Sequence, residues 1–172
     1  VFFNDNFVNL MSVMKSAVAK YGRPQLFNFD NGSSYKNKQM ELLAARIGSV
    51  VHYDQPYTPT QKAKIERWFR TMKDQWMSAL DIREFHSLEE LRGNLLAYVQ
   101  KYNHSPHSSL KGKAPHERFF SEPECIRRLT DKELEDSFLL EIERRVSADS
   151  VVVIDHVEYE VDCRFAKQRI RL

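Results

Sequence analysis

Two carboxylates with 35 residues between them, Asp30 and Glu66, carry the most chemistry in this 172-residue chain. Asp30 ends the apolar run of QLFNFDNGSSY, and Glu66 sits in the basic, aromatic stretch TPTQKAKIERWFRTMKDQW. Phosphoryl transfer by two divalent ions needs oxygen ligands that hold the ions roughly 4 Å apart, one activating an attacking oxygen and one stabilising the leaving oxygen. Carboxylates fixed on a strand end and on a helix supply such ligands, so the pair suits two Mg²⁺ or Mn²⁺ ions. The alternative is that Asp30 caps a turn and Glu66 pairs with Lys62 or Arg70, the commoner fate of a single acid.

The elements that position these residues can be read from the pattern around them. Leu26, Phe27 and Phe29 read as a buried strand ended by the Asn31-Gly32 turn. Ile65, Phe69, Met72 and Trp76 recur at helical spacing, which puts Glu66 on the rim of an apolar stripe with Lys62, Arg70 and Lys73 on its side. Upstream, Asp5 is expected as the N-cap of a helix carrying Phe7, Leu10, Met14 and Val18. Downstream, the capping box Ser87 to Glu90 opens a helix over Leu88 to Asn103 that should bury Leu91, Leu95, Tyr98 and Tyr102 and cover the sheet. A turn-rich loop then leads to a short helix begun by Pro115. After a second capping signal, Thr130 to Glu133, the pattern changes to strands in FLLEIERRV, VVVID, VEYEVD and AKQRIRL.

Charge is segregated along the chain although the net charge is only +2. Residues 60–76 carry Lys62, Lys64, Arg67, Arg70 and Lys73 against two acids, a candidate phosphate-contacting surface. Residues 122–143 carry eight acids against three bases and read as a solvated linker that avoids DNA. The 42% hydrophobic content supports one good core, and no apolar run approaches the roughly 20 residues of a membrane helix. Cys125 and Cys163 lack CxxC spacing, which argues against a disulfide framework or a zinc site. His104, His107 and His116 read as loop residues, and the spacing of Trp68 and Trp76 favours packing over base stacking.

YGRP before the first carboxylate, DNGSSY after it, QPYTPTQKAKIERWFRTMK around the second and YNHSPHSSLKGKAPHERFF further on closely resemble the catalytic core of DDE-type transposases and retroviral integrases. The resemblance runs from Tyr21 to Phe120. It implies an α/β, RNase H-like fold, a mixed sheet flanked by helices, in which Asp30 and Glu66 are catalytic metal ligands. It also implies a further aspartate on a first strand, which no residue here matches. Val1 to Phe3 then read as the end of the family's third strand, and the chain as N-terminally truncated. The resulting expectation is a partial catalytic core over residues 1–121, a helical linker over 122–138 and a partial C-terminal β-barrel over 139–172.

The implied activity is metal-dependent cleavage and joining of double-stranded DNA, with element ends and target as substrates and a homo-oligomer assembled on DNA. Residues 1–172 alone are expected to be inactive, with two of three carboxylates present. Lys62, Lys64, Arg67, Arg70 and Lys73 would hold the DNA backbone, and Asn31 and His52 are possible auxiliaries. His52 matches a histidine found in related transposases, or is a strand-end residue bonded to backbone. Lys62-Ala63-Lys64 replaces the Gly-Lys of many relatives, keeping the charge but losing a flexible residue at the helix start. The implied setting is the bacterial cytoplasm, at the nucleoid, with no membrane. Two other functions stay open: an RNase H-like nuclease without strand transfer, and a non-enzymatic DNA-binding or assembly remnant of a decayed element.

Overall fold

The computed structural model describes residues 1–4, 6–32, 35–54 and 63–172. Asp5, the Ser33-Ser34 pair and residues 55–62, Lys62 among them, lie outside the described residues. Helix α1 (Phe7–Tyr21) presents Met11, Met14 and Val18 inward at i, i+3 and i+7. Its cap is Asn6 rather than the expected Asp5: the Asn6 side chain accepts from the Asn9 N–H at 2.8 Å. An amide oxygen one residue nearer the helix satisfies that donor.

Tyr21-Gly22-Arg23-Pro24 turns the chain from α1 into strand β1 (Leu26–Phe29). Gly22 has φ +82°, and a Cβ there would meet the Arg127 carbonyl oxygen at 2.9 Å, so only glycine fits. Arg23 donates from its backbone N–H to that Arg127 carbonyl at 2.9 Å. Its guanidinium donates to the carbonyls of Ile47 and Gly48, closing the end of helix α2 (Lys38–Ile47). Strand β2 (Val50–Tyr53) follows and pairs parallel to β1, with Leu26, Phe27, Asn28 and Phe29 opposite Val50, Val51, His52 and Tyr53. A β1–α2–β2 crossover of this kind places both strand ends at one edge.

The core forms between α1, α2 and one face of the sheet. Met40, Leu43 and Ile47 of α2 meet Met11, Met14 and Val18, with Phe27, Phe29 and Val51 packed against them. The other sheet face is open: Leu26 is 51% and Val50 63% exposed. The expectation of Leu26 as a buried residue fails there, because the helix expected to cover the sheet lies elsewhere. That helix, α4 (Leu88–His104), runs against helix α3 (Ala63–Gln75) and helix α5 (Pro115–Phe120) instead. Leu91, Leu95, Tyr98 and Tyr102 are therefore half-buried, none fully. Its cap is as read, Ser87 accepting from the Glu90 N–H, but the Glu90 carboxylate accepts from His86 rather than closing a box on Ser87.

Helix α6 (Asp131–Ser137) carries the full capping box of Thr130 and Glu133. Expected as a connecting helix on a solvated stretch, it packs on α1 and α2 and contributes Leu134 and, just after it, the buried Phe138. Two acids of this segment are ion-paired to the core helices: Glu135 to Lys15 at 2.6 Å and Glu141 to Arg46 at 2.5 Å. Beyond it, β3 (Glu143–Arg145) pairs antiparallel with β6 (Arg169–Arg171), and β4 (Val151–Ile154) with β5 (Val157–Glu160). Val146 and Val152 are buried beneath them. Val1 to Phe3 belong to no strand. No helix of the described residues is long and apolar enough to cross a membrane.

Candidate active site

Asp30 is the residue immediately after β1, and Asp54 immediately after β2, at the same level of the parallel pair. The Asp54 N–H donates to the Phe29 carbonyl at 2.8 Å and extends the ladder to the strand ends. Asp54 is buried, its Oδ1 accepting from the Asn28 side chain at 2.9 Å and its carbonyl from the Asn31 side chain at 2.7 Å. Asp30 accepts the Gly32 N–H at 2.9 Å, so it does cap the turn as the alternative reading allowed. The turn carrying Asp30 is thus tied to the neighbouring strand through Asn31 and Asp54. Tyr35 stacks on Phe29 at 4.8 Å and accepts from the Tyr53 hydroxyl at 3.0 Å, bracing the same corner. Burial, and secondarily the charge of Glu41, raises the Tyr53 pKa and keeps that hydroxyl a donor.

A cleft of about 570 Å³ opens between this corner and α3. Asn28, Phe29, Asp30 and Tyr35 line one wall; Lys64, Ile65, Glu66 and Phe69 line the other. The structure therefore brings Asp30 and Glu66 to one cleft, with Lys64 beside them. Glu66 is exposed and makes no ion pair among the described residues, so the pairing with Arg70 offered as the alternative is not formed. The donors on offer are carboxylate oxygens with no sulfur or imidazole, the set that suits Mg²⁺ or Mn²⁺. Among the described residues no three His, Cys, Asp or Glu side chains converge.

The other candidate residues divide by position. Arg67 faces away from this cleft into a second one, between α3 and α4, which Lys64 also lines. Arg70 and Lys73 are exposed on α3, and Lys62 lies outside the described residues. Asn31 acts through its bond to Asp54, and His52 is exposed on β2 opposite Asn28. The apolar stripe of α3 is not buried: Ile65 is 49% and Phe69 46% exposed, and among the described elements none packs on that side. Asp54 escaped sequence reasoning. Its signal was an acid directly after the second apolar run, matching Asp30 after the first. His104 and His116 stack on each other at 4.6 Å, His107 lies on Tyr102, and both cysteines are free and exposed.

Comparison with known proteins adds to this geometry. The family model described as integrase core domain matches residues 48–115, and the model described as TnsB C-terminal domain matches residues 5–81. The transposase for transposon Tn552 of Staphylococcus aureus is 26% identical over 143 residues, which cover 76% of this chain and 29% of that protein. A chain from the structure of the simian T-cell lymphotropic virus intasome in complex with PP2A regulatory subunit B56 gamma superposes with a TM-score of 0.51 at 18% identity. That match covers 67% of this chain and 41% of the other, and it is a likeness of fold, the RNase H-like α/β arrangement. These matches fall on the region that holds Asp30 and Glu66 and support a DDE transposase/integrase-like protein.

Proposed function

We infer that this chain forms part of an enzyme that cuts and joins double-stranded DNA, with Asp30 and Glu66 as metal ligands. The observation that carries the reading is their meeting in one cleft with 35 residues between them, at a strand end and on a basic helix. Proteins with an integrase core are metal-dependent as a family, and the carboxylate donor set fits Mg²⁺ or Mn²⁺. When bound, two such ions supply charge stabilisation to the attacking and leaving oxygens of an in-line displacement. The chain's own residues hold and orient. Asp54 and Asn31 fix the turn that presents Asp30, and α3 presents Glu66 with Lys64 alongside. Lys62, Lys64, Arg67, Arg70 and Lys73 position the phosphate backbone. Water attack frees a 3′ hydroxyl, and that hydroxyl then attacks target DNA, so no covalent protein intermediate is needed. The cuts at element ends and the target joint call for more than one copy on DNA, as in an intasome-like assembly.

The test is a joining assay with a labelled donor end, using the protein that contains this chain. Asp30→Asn and Glu66→Gln are each expected to abolish cleavage and joining while leaving duplex affinity nearly unchanged, since they delete metal ligands and not cations. Loss of binding in parallel with loss of chemistry would give the two acids a structural role. Cleavage without joining by the parent would make the protein a nuclease.

A further inference from the structure

The second cleft, about 580 Å³, lies on the far side of α3 from Glu66. Its α3 wall is the row Lys64, Trp68, Thr71 and Gln75, at i, i+4, i+7 and i+11, with Arg67 beside it. The α4 wall is Tyr98, Lys101 and Tyr102, and the loop through Ser105 and His107 closes one end. That end is held in place. The Ser105 hydroxyl donates to the Lys101 carbonyl at 2.7 Å, the His107 Nε2 lies 3.2 Å from the Tyr102 carbonyl, and the His107 and Tyr102 rings sit 4.5 Å apart. The opposite end is closed by Tyr98, whose hydroxyl donates to Gln75 at 3.2 Å and whose ring stacks near Trp76. Trp68, between them, is half-buried and its ring meets Phe69 edge-on at 5.2 Å.

Two features of the lining point to one kind of occupant. Lys64, Arg67 and Lys101 are cations, and among the described residues no carboxylate lines the cleft. Trp68, Tyr98, Tyr102 and His107 supply ring faces and edges among those cations. Phosphates satisfy the first feature and flat aromatic bases the second, and a groove combining both is how unpaired strands are held without sequence preference. A duplex keeps its bases stacked inward and offers this groove only phosphates. The volume falls within the range of small-ligand sites, too narrow for a double helix and suitable for one or two nucleotides. Lys64 lines this groove and the Asp30–Glu66 cleft alike, so the two clefts share one cation at the start of α3.

We propose that the α3–α4 groove binds an unpaired DNA strand, its bases stacking on Trp68 and Tyr102 and its phosphates held by Lys64, Arg67 and Lys101. The role of that strand rests on the DNA-joining reading, because cutting one strand of a duplex end releases its partner from pairing; the binding itself does not require catalysis. It also reassigns Trp68 from packing to recognition, while Trp76 keeps its packing role through its Nε1 bond to Asn94 at 2.7 Å.

The experiment measures binding of a fluorescein-labelled oligothymidylate, and of a blunt duplex of mixed sequence, to the 172-residue chain over a series of salt concentrations. Trp68→Leu is expected to weaken oligothymidylate binding about 5- to 150-fold. Lys101→Ala should flatten its salt slope by about 0.7 unit. Neither change should alter duplex binding, since neither residue belongs to the backbone-contacting set assigned above. Circular dichroism reports whether Trp68→Leu folds; should it not, Lys101→Ala, at an exposed position, and the stacking-competent Trp68→Phe, expected to bind like the parent, decide the matter. Unchanged oligothymidylate binding in Lys101→Ala and in a folded Trp68→Leu overturns the proposal, as does equal weakening of single strand and duplex. So does a chain that binds no oligothymidylate but dimerises through Trp68 in sedimentation, which would make a second copy the occupant. Failure of the catalytic reading looks different: Asp30→Asn and Glu66→Gln would then leave joining intact, whatever oligothymidylate binding does.

Discussion

The half of the molecule built from α1, α2, the parallel strands and α6 turns one apolar face of each helix into a buried core, whereas the α3–α4 limb buries none of its apolar positions fully. Helix α2 turns Met40, Leu43, Ala44 and Ile47 into the core, while α3, with Ile65, Phe69, Met72 and Trp76 at comparable spacing, buries none. Helical periodicity specifies a face and leaves its partner open. For α2 the partner is α1 and the sheet. For α3 it is a helix on the opposite side, so the Ile65–Phe69 face borders the cleft with Asp30. The two acids of the candidate site therefore stand on unlike supports, Asp30 on the packed half and Glu66 on the exposed limb.

The largest expected effect tests that contrast directly. Met40 is fully buried, and Met40→Ala should cost about 2–5 kcal/mol through lost burial and the cavity left behind. Phe69→Ala, on a half-exposed ring, should cost about 1 kcal/mol or less. Urea denaturation midpoints measure both, and equal losses would mean that the α3 face is packed in solution. Glycines give the same contrast with opposite signs. Gly22→Ala forces a side chain into positive φ and against the Arg127 carbonyl, at about 1–3 kcal/mol. Gly93, inside α4 with nothing within 4 Å of its would-be Cβ, should instead stabilise by about 0.5–1 kcal/mol when replaced by Ala.

The sequence was legible where a local signal decides the outcome. Asn-Gly after LFNFD, Ser87 before α4, Pro115 and the Thr130–Glu133 box all sit where local rules place them. Helix α2 was equally readable, with Asn37 and Gly48 as its caps, although the two acids draw attention past it. Long-range packing was not legible. Nothing local says that α4 would leave the Leu26–Val50 face open, or that an acidic stretch would dock Phe138 between α1 and α2. In the candidate site, motif and spacing single out Asp30 and Glu66, which line one cleft, whereas Asp54 needs the parallel register that sets it beside Asp30.

The exposed limb should respond to changes through binding and not through folding. Arg70 and Lys73 lie one and two turns beyond Glu66 and are exposed. Replacing either with Ala in the intact protein should weaken duplex binding across unrelated sequences and flatten the salt dependence by about one unit. Melting temperature should hardly move. An unchanged salt slope in both variants would remove these two residues from the DNA-contacting set.

The smallest effect expected is on the packed half, at the start of α6. Glu133 accepts from the Thr130 backbone N–H and hydroxyl, both at 2.8 Å, and these bonds lower its pKa, the backbone bond most, with slight desolvation opposing. Hydrogen bonds to the ionised form favour ionisation in the folded state over the unfolded one. The folded pKa thus lies below the unfolded value of about 4.3, and stability from this group is fully present above that value. It is lost as pH falls through the folded pKa. Subtracting the melting curve of Glu133→Gln from that of the parent cancels every contribution the two proteins share. The difference should be constant from neutral pH to about pH 5 and shrink below it, where the carboxyl of the parent becomes protonated and resembles the amide. A difference that grows on acidification, or that does not vary with pH, would show that Thr130 does not hold the ionised carboxylate in solution, and that the α6 cap does not help dock this helix onto α1 and α2.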